Sequence, residues 1–432
     1  MTAAAKFEPE PAAASVGDFA AAETKLFTAA SEAAFIDSSS GRAAPVLHTV
    51  MTASLLPLLE SRRVVVCVGS GGVGKTTIAA SLALAAALRG KRVLCLTIDP
   101  AKRLANSLGL ERMSTEAQPV AARLFEQAGL RVSGSLTVMM LDTKRTFDEL
   151  VARHASSPEA RDRILNNRLY QYVSTSLAGT QEYMAMEKLL QVKRDTNYDV
   201  IVLDTPPTSN ALDFLDAPTR LIDALDSGAM RWFIQAIEKS GKFSLNLVAK
   251  SVAVVLRGIG KLTGGDFLQQ MAEFIVNLND LFGGFRERAT QVAAAFRGPE
   301  FAYVLITTPA PVAVQEALFF AERLQEQGMR RDAFVVNRVH RKPRALPNLE
   351  QVRAAVARHG ITLESNGPER LVRALNEESE HAKLDADNLG RLRTSLANGS
   401  GAPPVRIDVP ALPSDVHDLS TLAGLSQLLC PP

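Results

Sequence analysis

The sequence predicts an α/β domain: a parallel sheet with helices on both faces and an inserted helical subdomain. Three observations carry this expectation. Short apolar runs of strand length recur along the chain, helical patterns separate most of them, and a glycine-rich segment joins the first run to the first long helix. The runs are Val64–Val68, Val93–Thr97, Leu136–Leu141, Val200–Leu203, Tyr303–Thr307, Phe334–Asn337 and Val405–Val409. Largely continuous apolar strands alternating with helices are the pattern of a parallel sheet covered on both faces.

Taken in chain order, residues 1 to about 45 are rich in Ala, Ser, Glu and Pro and show no sustained periodicity. They are expected to form a disordered leader, with a single domain over 46–432. Val50–Glu60 reads as a short amphipathic helix leading into the first strand, and Thr76–Arg89 and Val314–Glu326 as helices between strands. Two long stretches, Thr143–Val192 and Pro218–Phe296, carry helical periodicity and no convincing strand. These insertions, about 143–192 and 218–296, are expected to add helices on one side of the sheet. Leu349–Ala397 is charged and helical in pattern, and Gly399–Pro404 reads as a hinge before the last strand.

Composition narrows the classes. Hydrophobic residues are 47% and charged residues 22% of 432, so a substantial core is expected. A net charge of +2 gives no concentrated basic surplus, which argues against a generic nucleic-acid binder. Cys67, Cys95 and Cys430 are too widely spaced in sequence for a disulfide framework or a CxxC metal site. Cys67 and Cys95 lie in apolar runs and read as buried thiols, a usage that fits a reducing cytoplasm. No run reaches the ~18 apolar residues of a membrane span, and the N-terminus lacks the basic and apolar regions of a secretory signal.

The segment GSGGVGKTT (Gly69, Ser70, Gly71, Gly72, Val73, Gly74, Lys75, Thr76, Thr77) fits G-x-x-x-x-G-K-[ST] between a strand and a helix. Glycines let the backbone wrap around phosphate oxygens, with N–H groups converging on the anion, and the helix N-terminus adds a favourable dipole. In such a P-loop, Lys75 reaches the β- and γ-phosphates of ATP and the Thr76 hydroxyl coordinates Mg²⁺. This is the single P-loop in the chain, and there is no internal repeat. Two strand-end carboxylates follow it. Asp204 closes YDVIVLD, the Walker-B pattern expected to hold Mg²⁺ through water, and Asp99 follows Val93–Ile98, where a carboxylate can orient or deprotonate the attacking water. Either aspartate, taken alone, could instead be a helix N-cap.

At these residues the chain resembles the ArsA-type ATPases, a branch of the P-loop NTPase class that includes ParA and MinD. That family contains arsenite-pump ATPases and the ATPase that targets tail-anchored membrane proteins. The resemblance runs from about Val64 to the C-terminus. It rests on GSGGVGKTT, on TIDPA (Thr97–Ala101) as switch I and on DTPPTSNALDFL (Asp204–Leu215) as switch II, and more weakly on VVN (Val335–Asn337) and VPALPSDVHDLSTL (Val409–Leu422). It implies Asp99 as the water-activating residue, Asn337 as an adenine contact and Pro410 as part of the base pocket. It also implies a nucleotide-sandwich dimer whose closure rearranges the helical insertion.

Three departures from the family pattern stand out. The signature lysine two residues into the loop is Ser70, switch I reads DPAKR with Arg103 in the usual asparagine position, and the metalloid- and zinc-binding cysteines have no counterparts. The resemblance therefore implies an ATPase switch with a protein or small-molecule client. It would act either as a homodimer or as a heterodimer with a paralogue that keeps the lysine. The alternatives are the ATPase subunit of an arsenite-type export system and a ParA/MinD-like organiser on membrane or DNA. The missing thiols weigh against the first, since As(III) prefers soft thiolate ligands, and the absence of a basic stripe weighs against the second.

Overall fold

The computed structural model describes residues 53–431, apart from 99–103, 106–107, 111–112, 156, 169, 172–173, 175–179, 206–210, 227, 229–285, 344–345, 359–365, 398–402 and 413. The leader, most of the second insertion and the hinge after Ala397 therefore lie outside the described residues.

Eight strands form one sheet: β1 (Val64–Gly69), β2 (Arg92–Thr97), β3 (Gln118–Pro119), β4 (Ser135–Met140), β5 (Val200–Asp204), β6 (Phe301–Thr307), β7 (Ala333–Val339) and β8 (Val405–Pro410). Their order is β3-β4-β2-β5-β1-β6-β7-β8, and every pairing is parallel except that of β3 with β4. All seven expected strands are present. The one that sequence reading missed is β3, a two-residue edge strand ending in proline, which offers no apolar run to recognise.

The described helices cover both faces. They are α1 (Leu56–Ser61), α2 (Lys75–Leu88), α3 (Ala122–Gln127), α4 (Thr143–His154), α5 (Pro158–Leu165), α6 (Thr180–Lys193), α7 (Ala211–Leu225), α8 (Pro311–Glu326), α9 (Leu349–Arg358), α10 (Gly367–Ala397) and α11 (Leu419–Leu429). Residues 286–296 are also helical. On one face, Val65, Cys67, Val93, Cys95, Val202 and Val304 pack against α1, α2, α3 and α11. On the other, Val64, Val66, Leu94, Leu203, Tyr303 and Leu305 pack against α4, α6, α8, α10 and the helix over 286–296. The described parts of residues 143–192 and 218–296 pack on this second face of the sheet. α7 runs straight through Pro218, where the sequence placed the start of the second insertion. The proline sacrifices one backbone donor without ending the helix.

α2 shows why this sheet positions a site. It is buried on almost all sides, from Ile78 to Ala87, because sheet, α1 and α11 enclose it. A helix that is apolar all round belongs inside, and its alanines let neighbours approach closely. Its N-terminus is thereby held directly beyond the end of β1.

Candidate functional site

β1 delivers the chain to Gly69, and α2 begins at Lys75. At Gly69 a Cβ would lie 2.1 Å from the Ile306 carbonyl oxygen on β6, so only hydrogen fits there. Gly74 caps α2 with φ +96°, in the left-handed region that glycine adopts without steric cost. No side chain caps the helix and its first turn carries no acidic residue. The first-turn N–H groups and the positive end of the dipole are therefore left for an anion. The Lys75 side chain, only 6% exposed, folds back so that Nζ donates to the Ser70 carbonyl at 2.7 Å. A neutral carbonyl is a weak partner for a desolvated ammonium, and a phosphate oxygen entering the loop is a stronger one.

Register brings the second half of the site to the same edge. Asp204 ends β5 directly beside Cys67 of β1 and Thr97 of β2. Its carboxylate, 1% exposed, accepts from the Thr76 hydroxyl at 2.8 Å and from the Thr97 hydroxyl at 3.2 Å, both through Oδ2. These partners come from α2 and β2, which distinguishes the arrangement from a helix cap serving its own segment. A carboxylate and a threonine hydroxyl side by side are hard oxygen donors, and they fit Mg²⁺, which keeps most of its waters and takes one or two protein oxygens. Thr205 braces this edge by donating from its hydroxyl to the Cys67 carbonyl at 2.8 Å. Sequence reading missed Thr97 as part of the cluster. The signal was its place at the end of β2, and it becomes informative only once β2 is known to lie against β5.

Asn337 and Pro410 lie near the C-terminal ends of the adjacent strands β7 and β8. Pro410 stands in register with Val339, and the Asn337 amide donates from Nδ2 to the Val73 carbonyl at 2.9 Å. Asp99 follows two residues after Thr97 and lies outside the described residues, as do Lys102, Arg103 and residues 206–210 of the expected switch II. The structure thus gathers the phosphate loop, Asp204, Asn337 and Pro410 at the C-terminal ends of the strands, where open parallel sheets bind ligands.

All three cysteines are free and buried. Burial pushes the Cys67 and Cys95 thiols far up, with the nearby Asp204 carboxylate adding to both, and burial pushes Cys430 up to about 11. None is available as a thiolate at neutral pH. Among the described residues no group of three or more His, Cys, Asp and Glu side chains is arranged to hold a metal, and no helix is long and apolar enough to cross a membrane.

Comparison with known proteins agrees with this geometry. A relative described as "ATPase get3", from Aspergillus terreus, is 27% identical over 273 residues, covering 63% of this chain and 71% of the relative. The profile of the family described as "Anion-transporting ATPase" matches residues 62–358, which include the phosphate loop, Asp204 and Asn337. The chain belongs to this family, the ArsA-type ATPases, and is an ATP-hydrolysing enzyme of the P-loop class.

Proposed function

We propose that the chain is a Mg-ATP-driven conformational switch that acts on a protein or small-molecule client through a nucleotide-sandwich dimer in the cytoplasm. The observation that carries the reading is the convergence of the Thr76 and Thr97 hydroxyls on one oxygen of the buried Asp204, with the buried Lys75 next to Thr76 in the chain. In this reading the backbone of Gly69–Thr77 cradles the phosphates, and Lys75 leaves the Ser70 carbonyl to neutralise charge on the β- and γ-phosphates. The Thr76 hydroxyl and, through water, Asp204 hold Mg²⁺. When bound, the ion would draw charge from the phosphate oxygens. Asp99 orients and deprotonates the attacking water, while Asn337 and Pro410 form the base end. Lys75→Ala should abolish nucleotide binding or turnover, and Asp99→Asn should keep Mg-ATP binding but lower turnover. Unchanged turnover in the Asp99→Asn protein sinks that residue's role.

Ser70 decides the form of the dimer. A serine is too short and uncharged to reach a partner's nucleotide as the family lysine does, so a homodimer would lack that trans charge at both sites. We therefore favour a heterodimer with a paralogue that retains the lysine, over a homodimer in which Lys102 or Arg103 supplies charge in cis. Ser70→Lys should raise turnover of the purified chain in the first case and leave it unchanged in the second. The buried thiols favour a client other than a soft metalloid, since As(III) would need clustered thiolates.

A further inference from the structure

Two hydroxyls share one oxygen of Asp204, and they are not equivalent. Thr76 lies in the first turn of α2, next to Lys75, and is the hydroxyl suited to the ion itself. Thr97 has no such duty. It is the last residue of β2, 1% exposed, after the buried and apolar Val93, Leu94, Cys95 and Leu96. Its hydroxyl is the one polar group in that buried side-chain run, and a buried hydroxyl is costly unless paired. Among the described residues it donates to Asp204 Oδ2 alone, at 3.2 Å.

The donor is also held in place. β2 lies between β4 and β5, and Thr97 stands in register with Met140 on one side and Asp204 on the other. Its carbonyl accepts from the Leu141 N–H at 2.8 Å. A β-branched side chain has few χ1 choices, so a backbone paired on both sides presents the hydroxyl in one direction. Thr76, by contrast, sits on the loop side, where the nucleotide enters. A carboxylate that holds an ion through water must keep its rotation, because hydrogen bonds to those waters are directional. Once Thr76 engages the ion, Thr97 is the partner whose bond to Asp204 has no other task.

We propose that Thr97 is a positioning residue for Mg²⁺: its hydroxyl anchors Oδ2 of Asp204 from β2 and so orients the carboxylate toward the ion. The proposal rests on the reading of Asp204 as the carboxylate that holds Mg²⁺ through water. Partners of groups around a metal are worth about 10–100-fold in its affinity, and a single hydroxyl belongs at the low end, about tenfold. By linkage, the same factor is lost from the tightening of nucleotide binding by Mg²⁺. Thr97→Val keeps the branched shape and removes the hydroxyl. It should lower that tightening about tenfold and leave metal-free nucleotide affinity within about twofold. Thr97→Ser keeps the hydroxyl and should hold the tightening within about threefold of the parent. The double variant Thr97→Val/Asp204→Asn should lose little more than Asp204→Asn alone, since both act through one carboxylate.

The test is titration of each variant with a fluorescent, non-hydrolysable ATP analogue, once with saturating Mg²⁺ and once with EDTA. The ratio of the two dissociation constants reads the contribution of the ion apart from turnover. The expected result is a lower ratio in Thr97→Val that returns in Thr97→Ser. An unchanged ratio in Thr97→Val would overturn the proposal. So would equal losses in Thr97→Val and Thr97→Ser, which would assign the effect to the fit of the branched side chain. Equal weakening with and without Mg²⁺ would also overturn it, as damage to the site at large. If the valine protein does not fold, Thr97→Ala against Thr97→Ser carries the comparison, because those two differ by the hydroxyl alone. Asp204→Asn in the same titration separates the two layers. If its ratio is unchanged, the carboxylate itself has been misread; if it falls while Thr97→Val keeps the parent ratio, only the role of Thr97 is refuted.

Discussion

Replacing Asp204 by Asn separates a metal-organising carboxylate from one that merely ends a strand, because the two roles move stability in different directions. In the unliganded protein the carboxylate is 1% exposed and accepts two hydroxyl hydrogen bonds, at 2.8 and 3.2 Å. The asparagine carbonyl can still accept both, but a bond to a neutral acceptor is roughly half as strong as one to a charged acceptor. The loss is then about 1–2 kcal/mol for the pair. Against it stands the relief of burying no charge, effectively several kcal/mol per ion. The unliganded variant should therefore be at least as stable as the parent. With Mg-ATP the balance reverses. A group that holds an ion through water typically contributes a factor of about 10–100 in metal affinity. The thermal shift produced by saturating the parent with Mg-ATP should therefore shrink in the variant, while the smaller shift from ATP with EDTA stays as it was. Paired melts with and without Mg²⁺, together with calorimetric titration of Mg²⁺ into the ATP-loaded protein, read both arms. An unliganded variant destabilised by about 3 kcal/mol or more, with an unaltered Mg²⁺ response, would refute the reasoning and return Asp204 to a structural role.

Further outcomes follow from the same geometry. Gly69→Ala would force a methyl to within 2.1 Å of the Ile306 carbonyl, a backbone atom that moves only if β1 and β6 part, so a loss of about 3 kcal/mol is expected in denaturant titration. Native protein should resist alkylation at pH 8 at Cys67, Cys95 and Cys430 until it unfolds, and the triple serine variant should lose stability while remaining an ATPase that arsenite does not stimulate. Metalloid binding that disappears in the triple variant would reverse that expectation. The Arg92 guanidinium and backbone N–H donate to the Asp199 carboxylate and hold its pKa down from 3.8 to about 2. A depressed folded-state value stabilises above the unfolded value and is lost as pH falls from about 4 towards 2. The stability difference between the parent and Asp199→Asn should therefore be small, present at pH 7, and narrowing in melts taken below pH 4.

The fold was legible because its evidence is local. A buried parallel strand must be apolar along its length, so Val64–Val68, Val200–Leu203 and Tyr303–Thr307 announce themselves without any knowledge of their neighbours. The phosphate loop is equally local, since glycines, lysine and threonine must follow one another for the backbone to wrap an anion. β3 left no such mark, because Gln118–Pro119 pairs only through its neighbour β4. Thr97 was unreadable as a partner of Asp204 for the same reason: the two meet through the register of β2 against β5, and no spacing in the sequence encodes register.

Asn337 shows the limit most sharply, and the limit carries a consequence. Its contact with Val73 spans 264 positions and is made from within a strand irregularity, neither of which has a residue signature. The family resemblance implies Asn337 for the base, and the phosphate-loop motif places Val73 with the phosphates, as separate ends of one ligand. In the fold the two touch. A side chain bonded to the phosphate loop cannot shift to meet a base without disturbing the peptide it holds, nor can the loop reshape around phosphates without moving that side chain. The two ends of the nucleotide should therefore bind cooperatively through the protein, beyond the covalent link they share. Comparing ATP with inorganic triphosphate in parent and Asn337→Ala measures this. If Asn337 only touched the base, its loss would weaken ATP and spare triphosphate. Because Asn337 also donates to the Val73 carbonyl of the phosphate loop, its loss should weaken both.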